Sequence, residues 1–338
     1  MRLKGFFFTF TAAVIALASV GHSVGHAAAP TMKIAHVVPS GDPRDLGAIK
    51  VKELLAADQR CAINATVYPS AQLGGTTDLI EGMQIGSVEA VVLPASFMVG
   101  FEPRIGIFDF PFFWPTKTED LLKVHKGPAM AKLLKTTEAQ GVVSLGVWHT
   151  GYKQWTANKP LKQPSDFAGL KARVMPSPVL VEQQKILGLN PVNMPFPETY
   201  NALQNRTIDA QENPLVTTFV MKFHEVQSNV TMSNHGNLDQ LFMVSKAWWD
   251  GLSAECRTAV SEAVDKAADV VVAKTEEMTG QAMTVFKERG VTVTELSDAE
   301  YQTLREATLP GLEKFYVAKA GAPGQEILDS FKSELGLK

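Results

Sequence analysis

Arg173 lies in the stretch GLKARV, Gly169 to Val174, an otherwise apolar run with strand character. A guanidinium is expensive to bury there unless an anion meets it. Two sources of that anion fit the spacing equally: a ligand carboxylate from outside, or an internal salt bridge to Asp209 or Glu212. Lys153, just after the Gly151-Tyr152 turn, reads either as a second cation for the same purpose or as a solvated loop lysine. Asn213 sits in DAQENP, where Pro214 opens the next helix at its first position. The free backbone donors of a helix start favour an anion. Phe196, held between Pro195 and Pro197, is a packing aromatic or a ligand wall, and His36 and His235 flank expected strand edges, where an imidazole can hydrogen bond inside a cleft. In open α/β sheets that cleft lies outside the carboxyl ends of the strands. These residue types hold an anion; they do not form a nucleophile with its base.

Motifs for bond-making chemistry are missing from the sequence. There is no P-loop, no GxGxxG, no HExxH and no acidic calcium loop, and His224-Glu225 continues as Val226, Gln227, Ser228. A Gly-x-Ser-x-Gly match at Gly21 to Gly25 falls in the amino-terminal export segment, away from any strand-turn-helix context. His22 and His26 leave with that segment, and the remaining five of seven histidines stand singly. No enzyme activity, metal or cofactor is expected, the rival being an extracytoplasmic hydrolase or lyase that uses a histidine and a carboxylate.

The export segment opens Met-Arg-Leu-Lys, runs apolar from Phe6 to about Val20 and ends in small residues around Ala27 to Ala29. At about 15 residues that run is shorter than the ~20 needed to cross a bilayer, so residues 1–28 read as a signal peptide rather than an anchor. The expected location is the periplasm. Losing Arg2 and Lys4 takes the formal charge from −3 to −5, a mildly acidic balance that argues against nucleic acid. The two cysteines, Cys61 and Cys256, fit no metal spacing and form either one disulfide or two core thiols.

The elements that must position these residues alternate. Strands are expected at Ile34 to Val38, Ala62 to Tyr68 and Val88 to Leu93, with helices at Arg44 to Asp58 and Thr76 to Ile85 between them. The aromatic FDFPFFW, Phe108 to Trp114, reads as a buried connection. A turn-rich stretch from Gly151 to Gly169 is expected to cross into a second domain. There strands at Leu170 to Val174, Pro191 to Met194 and Ile208 to Ala210 alternate with helices near Val179 to Leu187 and Glu198 to Asn205. Ala254 to Arg289 contains no proline and keeps Val260, Val264, Ala267 and Val271 on one face, which predicts one long helix with a bend available at Gly280. A strand at Val291 to Thr294 follows, and Ser297 to Glu300 is a capping box opening the last helix. Two α/β lobes result.

Several segments in order resemble one family: YPSAQLGG from Tyr68, FDFPFFW from Phe108, GVWHTGYKQWTANKPL from Gly146, FAGLKARV from Phe167, PETYNALQ from Pro197, DAQENP from Asp209 and SNHGNLDQ from Ser233. The chain resembles the extracytoplasmic solute-binding subunits of tripartite ATP-independent periplasmic (TRAP) transporters, of the dicarboxylate-binding type. The resemblance implies a two-lobed periplasmic-binding-protein clamshell with a long helix across both lobes. Residues 29–150 plus about 239–278 would form lobe I, and 151–238 plus about 279–338 lobe II. It also implies that Arg173 pairs with a ligand carboxylate, that Asn213 reaches the ligand and that Phe196 packs over it. Lys153 takes a position where many members carry arginine, a change that favours a short dicarboxylate. His36, Ser96 and His235 fall near lining positions. The implied function is capture of a small organic acid for secondary active uptake through the membrane subunits. First among such acids are four-carbon dicarboxylates such as succinate, malate or fumarate, with keto acids, aromatic acids and uronates as alternatives.

Overall fold

Strands and helices alternate along the chain in a computed structural model that describes Met1 and residues 29–337. Apart from Met1, the expected signal peptide lies outside the described residues. The first half runs β1 (Thr31–Ala35), α1 (Pro43–Ala57), β2 (Asn64–Tyr68), α2 (Thr76–Gln84), β3 (Ala90–Pro94), α3 (Thr118–His125), α4 (Pro128–Lys135) and β4 (Val142–Ala157). The second continues α5 (Pro164–Phe167), β5 (Lys171–Val174), α6 (Pro178–Ile186), β6 (Asn190–Asn193), α7 (Thr199–Gln204), β7 (Gln211–Asn213) and α8 (Leu215–Val220). It closes with β8 (Asn229–Ser245), α9 (Lys246–Asp250), α10 (Ala254–Glu288), β9 (Thr292–Glu295) and α11 (Asp298–Leu335).

One sheet runs β2-β1-β3-β8-β4-β7, with β9 also on β8, and β5 pairs β6 in a small second sheet. β1 is parallel to β2 and β3, whereas β8 runs antiparallel to β3 and β4. The long pair β4 and β8 joins the lobes, because its Val142↔Ser245 end lies beside β3 and its Ala157↔Asn229 end beside β7 and β9. This corrects the expectation of a loop crossing after Gly151. Gly151 lies inside a continuous strand, takes a φ of +103 that favours glycine, and marks a register shift between His149 and Tyr152. Turn-forming composition here makes a bulge rather than an end.

α10 is the long helix, 35 residues running through Gly280 without a break, or about 50 Å at 1.5 Å per residue. Its first half packs Val260, Val264 and Val271 against α1 and Trp148 in one core, and its last turns pack Ala282 and Phe286 against Leu215, Val230 and Val291 in another. Gly47 sets how closely α1 approaches it, since a Cβ there would come within 2.4 Å of Val271 Cγ2. α11 opens with the expected Ser297/Glu300 capping box and is two helices joined at a kink, where Gly321 leaves helical geometry.

Cys61 and Cys256 form a disulfide across 195 residues, which settles the choice the sequence left open and ties the end of α1's connection to the first turn of α10. Cross-linking a loop that long restricts the unfolded chain most, so Cys61→Ser with Cys256→Ser is expected to lower stability by about 2–4 kcal/mol. Urea unfolding of both proteins measures it.

Candidate functional site

Four strands end at one place. Just past or at the carboxyl ends of β1 and β3 come Val37, Pro94 and Phe97, and at those of β5 and β7 come Arg173, Met175 and Asn213. With Phe196, Leu238 and Arg44 they line a narrow cavity between the lobes. Six of its nine lining residues are apolar, and the other three are Arg44, Arg173 and Asn213.

Arg173 has the sharpest electrostatics. It is 3% exposed, yet its Nε and Nη2 find no hydrogen-bond partner and its side chain makes no ion pair within 4 Å among the described residues. Asp209 is occupied by the backbone N–H of Lys171 at 2.9 Å. Burial pulls the Arg173 pKa from 12.5 down to about 10, with Glu212 opposing the fall from a distance. The Phe196 ring centroid lies 5.5 Å from the guanidinium carbon, a cation–π contact that supports its flat face and leaves its edges free. Asn213, on the strand beside it, donates one N–H to Gln211 and keeps the other.

Arg44 comes from the opposite lobe and was not singled out from the sequence. Asp42 caps α1 through the Arg44 N–H at 2.9 Å, and Pro43 starts the helix. The same carboxylate takes Arg44 Nε and Nη2 at 2.7 Å each, which turns the guanidinium toward the cavity. Arg44 Nη2 lies 3.5 Å from Thr217 Oγ1 on the other lobe, a contact that spans the closed cleft. The signal was there in outline: a cap-and-proline pair, Asp42-Pro43, on the connection that follows the first strand puts the helix's first turn at the sheet's carboxyl edge.

Lys153, His235, Ser96 and His36 lie behind the wall of this cavity rather than on it. Lys153, 1% exposed, donates to Glu212 Oε1 at 3.2 Å, and His235 Nε2 lies 2.6 Å from Glu212 Oε2. Ser233 Oγ meets the other His235 nitrogen at 2.7 Å, so the ring takes a proton on Nε2 and accepts on Nδ1. Burial alone would raise Glu212, but Lys153 and then His235 outweigh it and bring the carboxyl down to about 2. Burial likewise lowers the His235 pKa against the pull of Glu212. Ser96 donates to Asp109 at 2.5 Å, and burial raises the Asp109 carboxyl despite Lys153 nearby. His36 bonds Asp45 at 3.1 Å. Two other histidines that stand singly in the sequence meet on one carboxylate at the lobe crossing: His125 at 3.0 Å and His149 at 2.8 Å from Asp239.

The cavity thus offers one unpaired guanidinium, a second guanidinium on a carboxylate tether, an amide and an apolar wall, with no nucleophile lining it. Residues 34–319 match the family described as bacterial extracellular solute-binding protein, family 7, DctP. The chain belongs to this family. Its relatives include the C4-dicarboxylate-binding periplasmic protein DctP of Rhodobacter capsulatus, 35% identical, with 86% of this chain and 87% of that protein covered. Among solved structures, a TRAP periplasmic solute-binding protein from Shewanella oneidensis with bound succinate superposes with a TM-score of 0.83 at 33% identity, covering 90% of this chain and 99% of that one. One from Desulfovibrio salexigens with bound orotic acid gives 0.87 at 33% identity, covering 90% and 98%. This family 7 protein is therefore a TRAP-type periplasmic solute-binding protein with the two-lobed fold.

Proposed function

We propose that this protein captures a small organic acid by its carboxylate on Arg173 and Asn213, closes over it, and hands it to the membrane subunits of a TRAP transporter without altering it. The observation that carries the reading is a buried guanidinium with two unmatched donors at the carboxyl ends of strands, which an entering carboxylate satisfies bidentately. The relatives named for C4-dicarboxylates make four-carbon acids such as succinate, malate and fumarate the first ligands to try. The far end of the ligand falls to Arg44, which lines the cavity, whereas Lys153 lies behind its wall on Glu212. A neutral partner for the wall of such a ligand is supplied by Phe97, Met175 and Phe196.

Purified protein mixed with these acids should give a saturable heat of binding and a smaller radius by X-ray scattering as the lobes close. The acid should come back unchanged by proton NMR. Turnover of the acid would point to the hydrolase or lyase reading instead, and an unchanged radius at saturation would remove the closure step.

A further inference from the structure

Resting on the reading that Arg173 takes a carboxylate, we infer that Arg44 reads an uncharged acceptor, so that the preferred ligand is a singly charged organic acid whose far end carries a hydroxyl, oxo or amide oxygen. Charges around the cavity set this. Arg173 is the one cation lining it without an anion of its own among the described residues, since Arg44 is matched side-on by Asp42 through two 2.7 Å bonds and Lys153 by Glu212. Behind the lining, Asp109 is pushed toward its neutral form by burial, while Asp45, held below the usual carboxylate range by His36 and the Gly41 N–H against the effect of burial, keeps its negative charge. The lining and its immediate partners therefore sum to about one positive charge, which one carboxylate neutralises. A second would be buried uncompensated, close to Asp42, in a cavity whose other walls are apolar apart from the uncharged Asn213 amide.

Arg44 is nevertheless able to bind. Asp42 occupies the Nε/Nη2 side of the guanidinium and Thr217 Oγ1 accepts from the second Nη2 hydrogen at 3.5 Å, which leaves the two hydrogens of Nη1. Two N–H groups facing an apolar space suit a carbonyl or hydroxyl oxygen of the ligand. Asp42 is thus a specificity-determining residue: it positions the guanidinium and cancels its charge.

The test compares two acids of the same shape, succinate and its monoamide succinamate, by calorimetric titration at pH 7.5. The wild-type protein is expected to bind succinamate at least tenfold more tightly. Asp42→Asn keeps a good helix cap and the same volume while removing the charge that neutralises Arg44, so the preference should shift toward succinate by at least tenfold. Arg173→Lys should weaken both acids and leave their ratio unchanged. Succinate bound as tightly as succinamate by the wild type, or a ratio that Asp42→Asn does not move, overturns the charge assignment while leaving the anchor intact. Wild-type protein that takes up neither acid at millimolar concentration overturns the anchor reading itself.

Discussion

Exchanging Arg173 for methionine is expected to remove about 2–5 kcal/mol of carboxylate binding while making the ligand-free protein more stable. The two effects have opposite signs for one reason. In the ligand-free fold the guanidinium is buried with two donors unmatched, and the fall of its pKa from 12.5 to about 10 corresponds to about 3 kcal/mol against the charged form. Methionine fills similar space beside Met175 and Phe196 and buries no charge, so a gain of about 1–3 kcal/mol follows. Arg173→Lys separates charge from shape: it keeps the cation, loses the planar fork, and should weaken every carboxylate ligand by at least ~1.4 kcal/mol, tenfold. Urea unfolding without ligand and calorimetry with it read the two halves. If Arg173→Met destabilises the empty protein while Arg173→Lys binds as the wild type does, the residue holds the fold and not the ligand.

The second large effect falls on stability. Lys153→Met leaves Glu212 buried with its charge unanswered except by His235 and Gln183, and should cost about 3–5 kcal/mol. Adding Glu212→Gln to it should recover most of that loss, since a neutral side chain then faces methionine. A double-mutant cycle by urea unfolding gives the coupling, and additive losses would show the pair to be independent. The same pair predicts a pH dependence. Glu212 has a folded pKa of about 2 against 4.5 when unfolded, so the unfolded chain binds more protons in that interval. Its contribution, about 3 kcal/mol, is fully present above pH 4.5 and is lost as pH falls toward 2. In Glu212→Gln that part of the acid loss should vanish.

Much of the fold was legible because its signals are local. The strand at Asn64–Tyr68, the helices at Thr76–Gln84 and Ala254–Glu288, and the cap at Ser297 follow from β-branched runs, one-sided apolar spacing and a capping box, all short-range causes. The long pair β4 and β8 was not legible, because Gly151 has the composition of a turn and only pairing with a strand far along the chain, His149 with Asp239 and Tyr152 with Asn237, keeps it inside a strand. β7 lies three residues past the expected strand for a similar reason: its pairing with Gln154 to Thr156 selects Gln211–Asn213 over the more apolar Ile208 to Ala210.

For the site, the sequence by itself determined that an arginine stands in an apolar strand and needs an anion, and the order of family segments that makes this a solute-binding chain. Which anion, and which cations share it, was decided by tertiary structure. Arg173 offered three possible partners by spacing, and the folded chain assigns Asp209 to a backbone N–H and Glu212 to Lys153 and His235, leaving the guanidinium edge to the cavity. Lys153 and Arg44 are both basic residues near turns in the sequence, yet a strand register buries one against a carboxylate and a helix cap turns the other into the cleft. A charge's partner depends on distance in three dimensions, and Coulomb energy at a buried site changes several-fold over a few ångströms, a scale that residue spacing along the chain does not carry.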